Sequence, residues 1–283
     1  MSIVVTGATG HLGRHVVEQL LEKVPAEGIT AVVRDKAKAA DLAGRGVRLA
    51  VADYNDPGTF DGLFAAGDKV LLISGNEFDK GRPAQHQVVI DAAVAAGVAL
   101  LAYTSAPGSL SAALADDHRA TEKALLASGL PYSLLRNGWY HENYTENLAP
   151  VLAHDAVVAA GDGRVSSASR ADYAAAAVAV LTGEGHENTT YELGGDEAWS
   201  FAEYAAELSR RTGREIAYNA VSTEALTGIL TGAGLPGPFA AILAGVDASI
   251  EKGELVVTTG DLSRLAGRPT TPLSEAIAAA LEG

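Results

Sequence analysis

Three glycines near the N-terminus, Gly7, Gly10 and Gly13, have the type and spacing of a phosphate-binding turn. They stand between a short apolar run and a helical pattern that begins at His11. In such a turn the first glycine permits a tight bend, the second lets backbone approach a pyrophosphate, and the third lets the helix pack closely on the strand. The helix N-terminus then attracts the phosphates. We therefore predict a dinucleotide site; the alternative is a glycine-rich turn without a ligand.

The residue after the second apolar run favours one nicotinamide cofactor over the other. An NAD site carries Asp or Glu about 20 residues past the glycines, where it binds the ribose 2′-hydroxyl. This chain has Arg34 there, and Lys36 and Lys38 add positive charge nearby. A guanidinium can bind a 2′-phosphate through two N–H groups. We predict NADPH as the cofactor; the alternative is that Arg34 is solvated or pairs with Asp35.

Small polar residues follow two further apolar runs. Ser74, Gly75 and Asn76 come after the fourth run, and Thr104 and Ser105 end the fifth. The carboxyl ends of parallel strands line the ligand crevice of a doubly wound sheet. The first three are therefore predicted to contact the cofactor and Ser105 the substrate. Ordinary strand-end turns are the alternative.

The helix predicted after the fifth strand lacks the Tyr-x-x-x-Lys pair of the alcohol-forming short-chain dehydrogenases. In that pair the tyrosine donates the proton and the lysine lowers its pKa. This chain has His118 and Glu122 instead, with Lys123 one step out of register. His118 is predicted to face the substrate as a proton source or a polar wall; a solvated helix histidine is the alternative.

An aromatic-rich segment, Asn137–Tyr144, follows the sixth apolar run. Aromatic side chains on a loop at a ligand edge suit stacking on a planar ring. We predict that Tyr140 and Asn143 contact the substrate. The alternative is that these rings only attach a second lobe.

Several chemistries are excluded or disfavoured. The chain has no cysteine, which excludes disulfides and thiolate catalysis. His11 and His15 have the spacing of a metal pair, but no third ligand is evident, and we predict no metal site. No Gly-x-Ser-x-Gly motif is present, so a hydrolase nucleophile has no support.

Composition and net charge disfavour some classes of binding partner. The net charge is −14 without a basic stripe, which disfavours binding to nucleic acid or to anionic lipid. The apolar tract Ala171–Leu181 is too short for a bilayer, which takes about 20 residues. The N-terminus has no basic segment before a long apolar core, so we expect no signal peptide and a cytoplasmic protein.

The elements that must position these residues alternate in the first half of the chain. Six predicted strands are each followed by a helical pattern where one can be identified. The strands are Ile3–Thr6, Ile29–Val33, Val47–Val51, Lys69–Ile73, Leu100–Thr104 and Tyr132–Leu135. Helices are predicted at His11–Lys23, Ala37–Ala43, from Asp56-Pro57, at Pro83–Ala96 and at Ala115–Ser128. This alternation predicts an α/β fold, a doubly wound parallel sheet of the Rossmann type.

The second half is less regular. Helix Ala171–Leu181 and strand Thr190–Leu193 complete the sheet, while Ser200 and Glu203 form a capping box before another helix. We predict a Rossmann core over residues 1–136, completed by about 164–195. Residues 137–163 and 196–283 are assigned to a small mixed α/β lobe on the substrate side.

The chain resembles the NmrA-like group of atypical short-chain dehydrogenases over almost its whole length. Within that group it is similar to bacterial NADPH-dependent quinone oxidoreductases and to their neighbour, triphenylmethane reductase. The shared strings are Gly7-Ala8-Thr9-Gly10, Ala31-Val32-Val33-Arg34, Leu71-Leu72-Ile73-Ser74, Ala102-Tyr103-Thr104-Ser105, Thr121-Glu122-Lys123, Leu135-Arg136-Asn137-Gly138-Trp139-Tyr140, Glu142-Asn143-Tyr144, Ala160-Gly161-Asp162-Gly163 and Arg170-Ala171-Asp172-Tyr173.

The resemblance implies flavin-free, two-electron reduction of a quinone or similar planar acceptor by NADPH. It also implies that residues 137–142 and Arg170 lie along the cofactor, and that the missing Tyr/Lys pair is normal for the group. The residues predicted to bind the cofactor are Gly7, Thr9, Gly10, His11, Leu12, Gly13, Arg34, Ser74, Gly75, Asn76, Asn137, Gly138, Trp139, Tyr140 and Arg170.

Alternatives to this function stay open at this point. One is a non-catalytic NADP-binding redox sensor that acts through a protein partner, and another is a reductase of other activated aromatic acceptors. The chain could also pair as a homodimer.

Overall fold

The chain forms two compact units in a computed structural model that describes residues 2–75, 81–146 and 148–282. The first unit comprises residues 1–106, 117–136 and 170–191. The second comprises residues 107–116, 137–169 and 192–283 and is nearly as large. The boundary after Arg136 is the one proposed from the sequence, whereas residues 107–116, 164–169 and 192–195 group with the second unit.

A seven-stranded sheet organises the first unit within the described residues. Its strands are β1 (Ile3–Val5), β2 (Ile29–Val33), β3 (Arg48–Val51), β4 (Lys69–Leu72), β5 (Leu100–Ser105), β6 (Tyr132–Asn137) and, after two strands of the second unit, β9 (Thr189–Leu193). The strand order is β3-β2-β1-β4-β5-β6-β9, and the pairs from β3 to β6 are parallel. The order reverses between β1 and β4, which makes this a doubly wound, Rossmann-type sheet with its switch point at those two strands.

Helices flank the sheet and bury its inner strands, such as β4 and β5, on both faces. The helices of this unit are α1 (His11–Leu21), α2 (Ala40–Gly44), α3 (Arg82–Ala96), α4 (Leu114–Ala127) and α7 (Arg170–Thr182). Val4, Val70 and Leu101 pack in one core cluster with Val89 and Ile90 of α3. The alternate strand residues point to the opposite face, where α1 and α7 pack on each other and on the strands.

The second unit is a mixed α/β assembly. Strand β7 (Ala156–Ala160) pairs in parallel with β11 (Ala217–Val221), and β8 (Arg164–Val165) pairs antiparallel with β10 (Trp199–Ser200). Its helices are α5 (Glu142–Thr145), α6 (Leu148–His154), α8 (Phe201–Thr212), α9 (Thr223–Gly232), α10 (Gly237–Glu251), α11 (Asp261–Ala266) and α12 (Leu273–Glu282). The predicted capping box of α8 is confirmed, since Ser200 accepts from the Glu203 N–H while Glu203 accepts from the Ser200 N–H.

Two helices of the first half differ from prediction. The helix predicted from Asp56-Pro57 is one 3-10 turn, Pro57–Phe60, that ends at Asp61 with extended backbone. The segment predicted as helix Ala37–Ala43 divides into a 3-10 turn, Lys36–Ala39, and α2. Over the part of the chain that the structure describes, no helix is both long enough and apolar enough to cross a bilayer.

Candidate cofactor site

The glycine turn joins β1 to α1 and leaves no room for a side chain at Gly13. Gly7 has φ +61°, a left-handed conformation that glycine adopts without strain. The Gly10 N–H donates to the Gly7 carbonyl oxygen at 2.9 Å and closes the bend. A Cβ on Gly13 would stand 2.2 Å from that same oxygen and 2.9 Å from the Ala8 Cα. The helix therefore starts directly against the strand end, as the motif requires.

The N-terminus of α1 carries no side-chain cap, because its N-cap residue is Gly10. Beside it lies a shallow cavity of about 280 Å³ lined by Thr9, Gly10, His11, Arg14 and His15. Leu12, which is also predicted to bind the cofactor, is buried. Uncapped N–H groups and the positive end of the helix dipole are suited to a phosphate. This end of the helix is the part of the unit most suited to a dinucleotide.

The strands on either side of the switch point are joined by side-chain hydroxyls. Thr6 Oγ1 donates to the Leu71 carbonyl oxygen at 3.1 Å and accepts from the Ile73 N–H at 3.1 Å. Tyr54 Oη donates to the Ile73 carbonyl oxygen at 2.9 Å. The end of β1, just before the glycine turn, is therefore held to the end of β4.

The turn after β4 is held by hydrogen bonds to its neighbours. The Ser74 N–H donates to Thr104 Oγ1 at 2.9 Å, and the Gly75 N–H donates to His86 Nε2 at 3.0 Å. A Cβ on Gly75 would meet Gln85 Oε1 at 3.1 Å, so α3 packs tightly under the turn. Asn76, also predicted to bind the cofactor, lies outside the described residues.

Arg34 directly follows β2, where its side chain is exposed. Its neighbour Asp35 caps the next turn, because its carboxylate accepts from the Ala37 N–H at 2.9 Å. Another cation beside the turn, Arg14, is already engaged: it donates to Asp41 at 2.6 Å and to the Lys38 carbonyl oxygen at 2.9 Å. The assignment of Arg34 to a 2′-phosphate stays a prediction.

His118 lies in a buried polar network rather than on an open wall. Arg82, a donor only, contributes Nη2 to His118 Nε2 at 2.7 Å. His118 Nδ1 therefore carries the hydrogen and donates to the Tyr103 hydroxyl at 2.8 Å. By the same logic His86 accepts from Gly75 and donates through Nδ1 to Thr121 at 2.8 Å. With both ring nitrogens in use, His118 is placed to support the turn through this network and not to touch a substrate.

Burial and the nearby Arg82 charge keep these imidazoles neutral. Desolvation first, and the guanidinium second, lower the pKa of His86 to about 3. The same causes, in the same order, hold the pKa of His118 well below its usual value. The burial of His118 and the engagement of both its ring nitrogens argue against the role of proton source that the sequence suggested.

Ser105, at the end of β5, contacts a residue that sequence reasoning did not assign. Its hydroxyl donates to Glu122 Oε1 at 2.6 Å. Arg136, at the matching position of β6, donates through Nε to Glu122 Oε1 at 2.9 Å and through Nη2 to Oε2 at 2.7 Å. Glu122 occupies the place of the absent lysine, and its carboxylate holds the ends of two neighbouring strands.

In the second unit, the segment that follows β6 begins with a buried amide. Asn137 is 7% exposed, and its Oδ1 accepts no hydrogen bond from any described residue. The Gly138 N–H donates to the Leu193 carbonyl oxygen at 2.8 Å. Trp139 and Tyr140 are half-buried, and Tyr140 forms a β-bridge with Ala168. An unsatisfied buried acceptor is uncommon in a native structure and is expected where a ligand supplies the donor.

A relay of polar side chains supports this segment from below. Trp199 Nε1 donates to Ser167 Oγ at 2.8 Å, and Ser167 is 2.8 Å from His141 Nδ1. His141 Nε2 donates to the Thr271 carbonyl oxygen at 2.9 Å, so its Nδ1 accepts from Ser167. No local sequence pattern indicates this relay, because its members lie 26 to 130 residues apart.

Some of the remaining residues singled out from the sequence lie in the protein interior and others on its surface. Tyr144 packs edge-on against Trp199, with ring centroids 4.9 Å apart, and against Phe201. It therefore belongs to the aromatic core of the second unit. Asn143 is exposed on α5, and Arg170 is the first residue of α7, in the first unit.

No group of three or more metal-ligating side chains occurs among the residues that the structure describes.

In the first unit, the glycine turn fits a dinucleotide, because α1 starts directly against the end of β1 and its N-terminus carries no side-chain cap. In the second unit, taken by itself, Asn137 presents a buried acceptor without a donor among the described residues. The individual contacts assigned from the sequence remain predictions, while the turn has the geometry that such a ligand needs.

Comparisons with known proteins agree with this geometry. A family model described as NAD(P)H-binding matches residues 7–184. The chain is 45% identical to quinone oxidoreductase 2 of Escherichia coli over 97% of both chains. A crystal structure of the NADPH-dependent E. coli enzyme complexed with NADPH superposes with TM-score 0.95 and 44% identity over 99% of each chain. The Citrobacter triphenylmethane reductase complexed with NADP(H) gives TM-score 0.93 and 42% identity over 99% of this chain and 100% of that one. The chain therefore belongs to the NAD(P)H-binding family.

Proposed function

We propose that this protein is an NADPH-dependent quinone reductase that needs no flavin. The observation that carries the proposal is the 45% identity to an E. coli quinone oxidoreductase along 97% of both chains. The likeness is not confined to the nucleotide-binding half, so it includes the segments that differ between substrates of such folds.

The cofactor side of the proposal rests on the glycine turn and on Arg34. The α1 N-terminus binds the pyrophosphate, and Arg34 binds the 2′-phosphate that distinguishes NADPH from NADH. Ser74, Gly75, Asn76, residues 137–140 and Arg170 are assigned to the remainder of the cofactor. When bound, NADPH supplies the hydride, and the protein contributes binding and orientation.

The reaction needs no side chain of the protein as a proton donor. Reduction of a quinone consumes one hydride and one proton, and the reduced product is a fairly acidic phenol. His118 is neutral with both nitrogens engaged, and the Ser105 hydrogen is directed at Glu122. In this proposal the proton therefore comes from water, and the side chains mainly hold two planar rings in a reactive arrangement.

The setting of this activity is also part of the proposal. We assign the protein to the cytoplasm, without nucleic acid or inserted membrane as a partner, on the grounds of its acidic net charge of −14 and its lack of cysteine. A homodimer is the assembly we propose to test by measuring the mass in solution.

The direct test is NADPH oxidation, followed by its absorbance, with benzoquinone as acceptor and no added flavin. We expect steady turnover with NADPH, weaker turnover with NADH, and none when the quinone is omitted. Tight NADPH binding without turnover above the uncatalysed rate would contradict the proposal and favour the redox-sensor alternative.

A second candidate is the reduction of cationic triphenylmethane dyes. The support is the TM-score of 0.93 to a triphenylmethane reductase over nearly the full length of both chains. Decolorisation of crystal violet with NADPH measures it. If the specificity constant for the dye exceeded that for benzoquinone, dye reduction would become the first candidate function and quinone reduction the second.

A further inference from the structure

The hydroxyl hydrogen of Ser105 is committed to a carboxylate. Ser105 is 5% exposed and Glu122 is 7% exposed, and the hydroxyl donates to Glu122 Oε1 at 2.6 Å. A carboxylate only accepts, so the direction of this bond is fixed. Hydrogen bonds to a charged acceptor are also stronger than neutral ones.

The orientation of the Glu122 carboxylate is fixed, because Arg136 also donates hydrogen bonds to it. The guanidinium reaches both carboxylate oxygens, at 2.9 and 2.7 Å, in a two-pronged ion pair. Ser105 and Arg136 are register partners on β5 and β6, so one carboxylate is fixed by two adjacent strand ends. Breaking such a pair would leave a largely desolvated charge without its partner.

The Ser105 oxygen is consequently an acceptor toward anything else that approaches it. A hydroxyl has one hydrogen and two lone pairs, and among the described residues none donates to Ser105 Oγ. A quinone carries only carbonyl acceptors and cannot satisfy this oxygen. This geometry argues against the substrate contact that the sequence suggested for Ser105.

We propose that Ser105 is a cofactor residue whose oxygen accepts a hydrogen bond from the carboxamide N–H₂ of the nicotinamide, with Glu122 as the positioning residue. The carboxamide is the N–H donor attached to the reacting ring, and Ser105 ends a strand at the edge of the sheet where such cofactors bind. The inference rests on the proposed NADPH function. It assigns Ser105 to recognition of the cofactor rather than of the acceptor.

The test compares the binding of two cofactors, and needs no turnover. Reduced 3-acetylpyridine adenine dinucleotide phosphate has a methyl group where NADPH has the N–H₂. Dissociation constants for both are measured by fluorescence titration on the wild type and on Ser105→Ala. Loss of one neutral hydrogen bond changes affinity by about three- to tenfold. We expect the preference of the wild type for NADPH over the analogue to fall by that factor in Ser105→Ala.

Two further variants isolate the role of Glu122. In Glu122→Ala the Ser105 hydrogen is released and can donate to the carbonyl that both cofactors share, so the preference for NADPH should disappear. In Glu122→Gln the amide oxygen can still accept from Ser105, so most of the preference should return. The matched control is Lys123→Ala, one position along α4 and exposed, which should keep the wild-type preference.

The outcomes separate this inference from the proposed function. An unchanged preference in Ser105→Ala overturns the inference. Equal weakening of both cofactors in that variant also overturns it, because a ribose hydroxyl would then be the donor. A reduced preference without any quinone turnover would support the inference and contradict the quinone reductase.

Discussion

Gly13 and Gly7 stand so close that a single methyl group on Gly13 would lie 2.2 Å from the Gly7 carbonyl oxygen. That distance is far inside van der Waals contact, and the atom approached is backbone. The close packing of α1 on the end of β1 therefore depends on the absence of one carbon atom. The N-terminal end of α1, where we propose that the phosphates bind, is placed by that packing.

Gly13→Ala should displace α1 and weaken both folding and NADPH binding. Overpacking of a tight contact costs about 1–3 kcal/mol, and we expect a loss of unfolding free energy in the upper part of that range. Urea unfolding measures the stability, and NADPH fluorescence should report at least a tenfold loss of affinity. The matched control is Gly228→Ala in α9, where a Cβ meets nothing within 4 Å. It should leave stability unchanged or raise it by up to about 1 kcal/mol. Equal stability of the two variants would contradict the close-packing argument.

Arg34→Ala should weaken NADPH binding and leave NADH binding nearly unchanged. A charge-assisted hydrogen bond contributes about 1.5–3 kcal/mol, which corresponds to roughly a 10- to 150-fold loss of NADPH affinity. Parallel titrations with the two cofactors measure the ratio. Arg48→Ala, at the exposed start of β3, is the control for loss of an arginine on the same sheet. A parallel loss for both cofactors would show that Arg34 does not read the 2′-phosphate.

Stability should fall as the pH drops below about 6.5, because the buried histidines stay neutral in the folded protein. The folded pKa of His86 is depressed to about 3, so below the usual histidine pKa the unfolded chain binds a proton that the folded chain does not. For His86 alone this amounts to about 2 kcal/mol at pH 5, and His118 acts in the same direction. Urea unfolding at pH 5 and 7.5 measures the slope, which His86→Gln should reduce. An identical slope in that variant would refute the linkage.

Asp247 should have the opposite dependence on pH. Burial raises the pKa of its carboxyl group to about 6, while the Ala160 N–H, which donates at 3.0 Å, opposes the shift. A raised folded pKa contributes stability that is present below the unfolded pKa and is lost as the pH rises through 6. Asp247→Asn, whose amide oxygen can still accept from Ala160, should raise the unfolding free energy by up to about 3 kcal/mol at pH 8 and by little at pH 3.5. A gain of equal size at both pH values would point to a cause other than ionisation.

The nucleotide-binding half could be predicted well because its signals are local. Strand and helix patterns alternate within about 30 residues, and the helix predicted at Pro83–Ala96 is observed as α3, Arg82–Ala96, which Gly97 ends in the left-handed conformation, φ +68°. The 3-10 turn after Asp56 was missed because a proline at a first turn marks how a helix begins and not how far it runs.

The second unit was harder to predict for the opposite reason. Strand β7 is Ala-Val-Val-Ala-Ala, and alanine favours strands weakly, so nothing in the segment indicates its pairing with β11 some 60 residues later. The positioning of Ser105 was hidden in the same way. Glu122 lies 17 residues away in the sequence. A glutamate on a helix is expected to be solvated, so its position at the strand ends is evident only in the folded structure.

Because Gly10 is the N-cap of α1, amide hydrogen exchange at the start of this helix should depend on whether a nucleotide is bound. A glycine N-cap leaves the first-turn amides with no side chain to shield them from solvent. Their hydrogen–deuterium exchange is therefore governed by whatever anion sits on that turn. The exchange rates of the amides of residues 11–13 would therefore measure nucleotide binding without turnover and without an attached fluorophore.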